Sequence, residues 1–449
     1  MNMTITSPAG FDPGAVRDRF RQARARTRIL FDLLDDSWYY QRPIALRNPV
    51  VFYEGHLPAF AINTLIKKGL GAPGIDHHLE QVFARGIDPE SEATAVARGN
   101  PAWPTRAEVA AYVADADRLI ESAIMTGELD RPDRPLLRGA EALWTILEHE
   151  EMHQETLAYM WHQVPYEGKR APRGYVTLPA DHARTRPAAG RVVVPAGRVT
   201  LGTPDTQPFG WDNERPSHHV SVDAFSIDVD NVTNAAFMEF IEAGGYRDRR
   251  WWRNDDWQWL STDAVTHPSF WERRGDQWCW RGMFERVPLP DNWPVYVSWA
   301  EARAFAAWRG LRLPTEAEFH RAAYGSVSGR EHRYPWGDAM LTATPGNFDF
   351  ERWDPEPVGW RPQGTSSFGV RDLVGNGWEW TSTVFGPYRG FTPMASYPEY
   401  SADFFDDEHF VMKGASPLTA RPLLRPGFRN WFRPRYPYVY ATFRCVGPA

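Results

Sequence analysis

Tryptophan is distributed so unevenly along this chain that one fold class cannot account for it. Most of the 21 Trp lie beyond residue 200, in a sequence that also holds 25 Phe, 17 Tyr, 35 Gly and 38 Pro. Large flat side chains with abundant Gly and Pro describe an irregular, loop-rich fold, and core packing is the ordinary use of each such ring. The first third reads differently, with apolar residues at helical spacing and Pro or Gly in the gaps. A length of 449 residues is about three typical domains, so two domains are expected rather than one large core.

Helices are predicted over 11–35, 50–68, 106–126 and 135–163, which makes an antiparallel bundle. The connection 71–104 is long, and loops of that length commonly contribute to a site or a domain contact. Over 167–191 the composition shifts to Pro, Arg, Gly and Ala without periodicity. The expected organisation is therefore a helical domain over 1–168, a linker over 169–190 and a second domain over 191–449. In the second, 192–202 and 220–227 predict strands and 234–242 and 300–308 short helices, so the class is α+β.

With 50 basic and 57 acidic residues the net charge is -7, which argues against a nucleic-acid partner. Cys279 and Cys445 are the 2 cysteines, too few for a disulfide scaffold or a four-sulfur metal site. The N-terminal stretch carries Arg17, Arg19, Arg21, Arg24, Arg26 and Arg28 without an apolar run, so no signal peptide is expected. No apolar stretch is long enough for a membrane span. The expectation is a cytoplasmic protein acting on small molecules.

Glu148-His149-Glu150-Glu151-Met152-His153 carries the sharpest chemical signal. Four residues apart on a helix, His149 and His153 leave the same face and can share one ion. Ile146, Leu157 and Met160 lie near that face, which points the pair into the bundle interior, where helical proteins build metal sites. His56, among apolar residues of the second predicted helix, is the candidate third ligand, and the adjacent Gly55 would let a neighbouring element come close. The same segment fits H-E-x-x-H, in which Glu150 would be the base of a zinc peptidase. The third histidine of the extended consensus does not follow. Satisfied structural histidines are the plain alternative.

At the level of whole motifs the chain resembles the ergothioneine-type sulfoxide synthases, which join a DinB-like bundle to a formylglycine-generating-enzyme-like (sulfatase-modifying-factor) domain. The residues that carry this include His56, the His149/His153 helix, Leu313-Pro314-Thr315-Glu316-Ala317-Glu318, Tyr334-Pro335-Trp336-Gly337-Asp338, Gly375-Asn376-Gly377-Trp378-Glu379-Trp380-Thr381, Met412-Lys413-Gly414, Phe428-Arg429-Asn430-Trp431 and Phe443-Arg444-Cys445. The resemblance implies iron(II) held by His56, His149 and His153, and dioxygen as co-substrate. It implies that Asn430, Trp431 and Phe432 bind hercynine, whose trimethylammonium suits aromatic faces. It raises a structural calcium near Asn376 and Glu379. Formylglycine generation itself needs a reactive cysteine pair, which Cys279 and Cys445 do not resemble.

Three departures follow. Where the family carries a tyrosine after Trp-Glu-Trp-Thr, this chain reads Phe385-Gly386-Pro387-Tyr388, which leaves Tyr388 as the expected proton donor. The first domain's loop has Phe83-Ala84-Arg85-Gly86-Ile87-Asp88-Pro89 where another branch has a tyrosine pair, and Met152 stands where Gln is frequent. Together they imply the related selenoneine synthases, with a selenosugar donor. The ergothioneine branch, with cysteine or γ-glutamylcysteine, is the alternative.

Overall fold

The computed structural model describes residues 12–84, 103–177, 190–339 and 344–449. Residues 85–89 of the first-domain loop and most of the expected linker lie outside the described residues. The chain forms two units: the first runs to Pro172 and also takes in Met394–Pro398, and the second holds Arg173–Pro393 and Glu399–Ala449.

In the first unit, α1 (Pro13–Asp32) begins where Asp12 accepts a hydrogen bond from the Gly14 amide and Pro13 occupies the first turn. Helix α2 (Val50–Ala61) runs without a break into a π-helix, Ile62–Gly69. A short helix α3 (His77–Val82), capped by Asp76, interrupts the connection expected to be irregular. His77 and His78 on it are exposed. Helix α4 (Arg106–Thr126) opens with a capping box between Thr105 and Glu108, which explains its agreement with the predicted span. The predicted helix over 135–163 is divided. Gly139 and Ala140 take φ of 62° and 57°, ending a 3₁₀ turn before α5 (Glu141–Gln163) begins.

Apolar faces of all four long helical segments meet in one core that includes Phe20, Ile62, Leu65, Ile120, Ile124, Leu143, Ile146 and Leu147. Each such side chain contributes about 1.5–3 kcal/mol when fully buried. The face of α5 turned to α1 is charged instead. Buried Arg24 bridges Asp117 of α4 (2.7 Å) and Glu150 of α5 (2.8 Å), and Thr27 also donates to Glu150. Arg19 holds Glu151 through two hydrogen bonds, and Gln154 donates to the Ala23 carbonyl.

The second unit begins with β1 (Arg191–Val194), β2 (Gly197–Leu201), β3 (His218–Val222) and β4 (Phe225–Asp228). Each strand expected over 192–202 and 220–227 is thus two, and Pro195 makes the first break. Then come α6 (Asn234–Glu242), α7 (Asn254–Thr262), β5 (Trp271–Arg274), β6 (Gln277–Arg281), β7 (Arg286–Pro288), α8 (Trp299–Trp308) and α9 (Glu316–Tyr324). The last elements are β8 (Gly377–Val384), α10 (Glu399–Ala402), β9 (Phe410–Ala415), β10 (Asn430–Phe432), β11 (Ala441–Thr442) and β12 (Val446–Pro448). The largest sheet has the order β10-β9-β8-β11, and smaller ones are β1-β4-β12, β2-β3 and β5-β6-β7.

The tryptophans are structural pins of this unit. Trp299 donates its indole N–H to the Thr381 carbonyl and Trp380 to that of Val297, tying the start of α8 and the turn before it to β8. Among the described residues both cysteines are free thiols, buried on separate strands or turns, and burial pushes the Cys445 thiol well above its ordinary range. Neither has the exposed, electropositive surroundings of a reactive cysteine.

Candidate metal centre

His149 and His153 lie one turn apart on α5, and His56 comes from α2. Their ligand atoms all fall within 4.8 Å of one another, close enough to converge on one ion. The ring centroids of His149 and His153 are 4.2 Å apart, and His56 stands 5.2 Å and 5.4 Å from them. His56 and His149 are buried, while His153 is half-buried.

The remaining ring nitrogens decide what these imidazoles can do. Nδ1 of His56 donates to the Phe83 carbonyl at 2.8 Å, and Nδ1 of His153 donates to the His149 carbonyl at 3.0 Å. With Nδ1 carrying the proton, Nε2 keeps its lone pair for a metal. Nε2 of His149 is buried with no hydrogen-bond partner, a costly arrangement unless something binds there. Burial pushes His56 down to about 4 and His153 to about 3, and it holds His149 well below the ordinary histidine range. All three are therefore neutral donors near neutral pH. The residues present fit a metal ion.

Gly55 has the part its position suggested. A Cβ there would sit 2.3 Å from Cε2 of Phe83, so only glycine lets Phe83 approach and offer its carbonyl to His56. Aromatic rings wall the triad: Phe60 stacks on His149 with centroids 3.7 Å apart and Phe52 on His56 at 4.9 Å. Glu150 points elsewhere. Its carboxylate is held by Arg24 and Thr27 on the α1 side, so it cannot serve the triad as the base of the H-E-x-x-H reading.

One residue at this centre was missed in the sequence. Tyr397 belongs to the first unit through the segment Met394–Pro398. Its ring lies 5.2 Å from Phe60 and 6.2 Å from His149. Ser396 moors the segment on α5: its amide donates to Glu141 at 2.8 Å and its hydroxyl meets that of Thr145 at 2.9 Å. The signal was present as Tyr397-Pro398-Glu399-Tyr400, a tyrosine pair downstream of the Trp-Glu-Trp motif.

The other expected site residues lie in the second unit. Tyr388 is half-buried, its hydroxyl donating to Glu316 at 3.1 Å and its ring 4.3 Å from the Arg429 guanidinium. Arg429 and Lys413 stand 3.1 Å and 3.7 Å from the same Glu316 oxygen. Burial first, then Glu316, holds the Tyr388 phenol well above its ordinary range. Asn430, Trp431 and Phe432 form β10, where alternation separates Trp431 from the other two. Trp431 stacks on Phe385 with centroids 4.1 Å apart and planes 5° from parallel, and Phe432 stacks on Tyr436.

The calcium expectation meets a chemical obstacle. Both Glu379 oxygens accept hydrogen bonds from Arg444, at 2.7 Å and 2.6 Å, with both side chains fully buried. The Asn376 side-chain oxygen accepts from the Glu356 amide and its nitrogen donates to the Glu356 carbonyl. A guanidinium already neutralises the carboxylate, so Asn376 and Glu379 do not fit a calcium ion.

A helical unit with a three-histidine centre, followed by a loop-rich α+β unit, defines the class. Residues 19–157 match the DinB superfamily and residues 176–449 match the Sulfatase-modifying factor enzyme 1-like domain. The chain belongs to the ergothioneine-type sulfoxide synthase family. It is 35% identical over 435 residues to the hercynine oxygenase of Mycolicibacterium thermoresistibile, covering 94% of this chain and 92% of that protein. The hercynine oxygenase of Mycolicibacterium smegmatis is 33% identical, with 96% and 97% covered. Ergothioneine biosynthesis protein 1 of Neurospora crassa is 28% identical, with 92% of this chain and 55% of that protein covered. Among the described residues no helix is long and apolar enough to cross a membrane.

Proposed function

We propose that the protein is an iron(II)- and oxygen-dependent enzyme that joins a chalcogen to the imidazole C2 of hercynine, with a selenosugar as donor. The observation that carries this is the triad: three neutral imidazoles, two with Nδ1 fixed on a backbone carbonyl and the third with an unspent buried Nε2. His56, His149 and His153 would hold the metal, and its neutral donor set leaves coordination positions open. Iron(II) supplies there the electron transfer to dioxygen that no side chain can carry out. In the overall balance the C2 hydrogen and the chalcogen hydrogen leave with one oxygen atom as water, and the other oxygen goes to the chalcogen.

Within the first unit, Tyr397 is our candidate for the group that handles a proton at the phenol oxygen, since its ring packs beside His149. Tyr388, the sequence expectation, has its hydroxyl committed to Glu316 in a buried ion cluster. For hercynine, Asn430, Trp431 and Phe432 remain the proposed binding residues, with a cationic trimethylammonium matched to aromatic faces.

The donor is read from the triad's surroundings. Phe52, Tyr53, Phe60 and Tyr397 bring aromatic rings against the histidines. Such walls favour the apolar faces of a sugar ring over the charged head of an amino acid. Phe385 adds no phenol on the second unit, which leaves Tyr397 as the phenol proposed to handle the proton for either chalcogen. Oxygen uptake and product mass with iron(II), hercynine and matched selenosugar, thiosugar, cysteine and γ-glutamylcysteine donors test the reading. Fastest turnover with the selenosugar is expected. Preference for cysteine or γ-glutamylcysteine moves the protein to the ergothioneine branch, and no uptake with any donor overturns the activity.

A further inference from the structure

Strands β9 and β10 pair antiparallel with Trp431 opposite Val411 and Phe432 opposite Phe410. Cross-strand partners share a face and neighbours along a strand alternate, which puts His409, just before β9, on the face of Trp431. Phe404 joins the two, its ring 5.4 Å from that of His409 and 5.7 Å from that of Trp431. Tyr400 turns a third ring toward Trp431 at 5.3 Å and 78°. Tyr400, Phe404 and Trp431 are all half-buried, so the cluster has an open side.

His409 is 7% exposed, and its Nδ1 lies 2.9 Å from Oδ1 of Asp406. A carboxylate at Nδ1 fixes the proton there and leaves Nε2 as an acceptor. Nε2 has no partner among the described residues. Burial, opposed by Asp406, holds the imidazole below its ordinary range, so near neutral pH it is a neutral acceptor. Asp406 also accepts from the Glu408 amide at 2.9 Å, and Arg433 stands 3.6 Å from its other oxygen. The turn is thus shaped without help from Nε2, and that atom, which is not a buried orphan, stays open to a donor from outside the cluster.

We propose that His409 is a substrate-recognition residue, its Nε2 accepting a hydrogen bond from the ring N–H of an imidazole seated among Tyr400, Phe404 and Trp431. The inference rests on the hercynine reading and deepens it: the aromatic rings take the cation and the flat ring, and the His409–Asp406 pair selects a ring that carries an N–H. Asp406 is a positioning residue that acts through His409.

The test is calorimetric binding to the iron-loaded protein under argon without a chalcogen donor, so that no turnover occurs. The probes are hercynine and the trimethylated betaine of phenylalanine, which keeps cation, carboxylate and flat ring but has no N–H. His409→Leu should weaken hercynine about tenfold, the worth of one hydrogen bond, and leave the phenylalanine betaine unchanged. His409→Gln, whose amide oxygen can accept, should recover most of the loss. Asp406→Asn, at an exposed position, should give a smaller loss for hercynine alone. Equal losses for both ligands, or none in any variant, overturn the inference. If Trp431→Ala weakens hercynine while the His409 and Asp406 variants do not, the hercynine reading stands and this one falls. Failure of the unaltered protein to bind hercynine sinks both.

Discussion

The imidazole of His149 lies flat on the ring of Phe60, with centroids 3.7 Å apart and planes 10° from parallel. His56 and His153 take their orientation from hydrogen bonds to backbone carbonyls, whereas His149 is oriented by this stack. Replacing Phe60 by Leu keeps apolar bulk but loses the flat surface. Iron affinity should fall about tenfold, the low end of what a supporting residue contributes, with little loss of helix content. Chelator competition with circular dichroism reads both, and unchanged affinity would reduce Phe60 to packing.

His153 is the half-buried member of the triad, so its loss should be tolerated by the fold. His153→Ala should remove most of the bound iron, measured by metal analysis, and leave the thermal transition within a few degrees. Full iron stoichiometry in that variant would sink the ligand assignment.

Gly55→Ala introduces a methyl group into the space occupied by Phe83. The displaced loop should withdraw the carbonyl that His56 uses, lowering iron affinity about 10–100-fold. An unchanged affinity would show that the carbonyl is dispensable.

Removing Arg24 should cost about 3–5 kcal/mol, because Glu150 would remain buried without its cation, while Asp117 would keep Arg28 alone. Urea unfolding of Arg24→Met against the unaltered chain measures this. Glu150→Gln is the companion variant: oxygen-dependent activity should survive within about twofold, because Glu150 supports α1 rather than the triad. Loss of activity at full stability would revive a catalytic role for Glu150.

Tyr397→Phe should retain full iron and hercynine binding while product formation falls by about 10²–10⁴, the span of general acid–base contributions. Tyr388→Phe should instead lower stability, by about 1–3 kcal/mol, because Glu316 loses a buried donor. Reversal of the two outcomes would return the proton to Tyr388.

The sequence was most informative where one local rule decided the structure. The spacing of His149 and His153, the Thr105–Glu108 capping box and the span Asn234–Glu242 all follow from helix geometry within a few residues. Other features depend on partners remote in sequence. Nothing local distinguishes the π-helical Ile62–Gly69 from a continued α2, or shows that Arg444 occupies Glu379. Tyr397 was obscured for the same reason. Its chain neighbours suggest a loop of the second domain, while its contacts are with Phe60 and His149.

That displacement of Met394–Pro398 sets a limit on modular engineering. A gene cut after Pro172 would express the helices and all three histidines but omit the strip that Ser396 moors and the tyrosine beside His149. The isolated fragment would report the ligand set while misreporting the neighbourhood of the ion. Domain swaps between relatives would likewise transplant a piece of one parent's bundle along with the other parent's sheet. Heredity at this centre is therefore carried by two distant stretches of coding sequence, and they have to change in step.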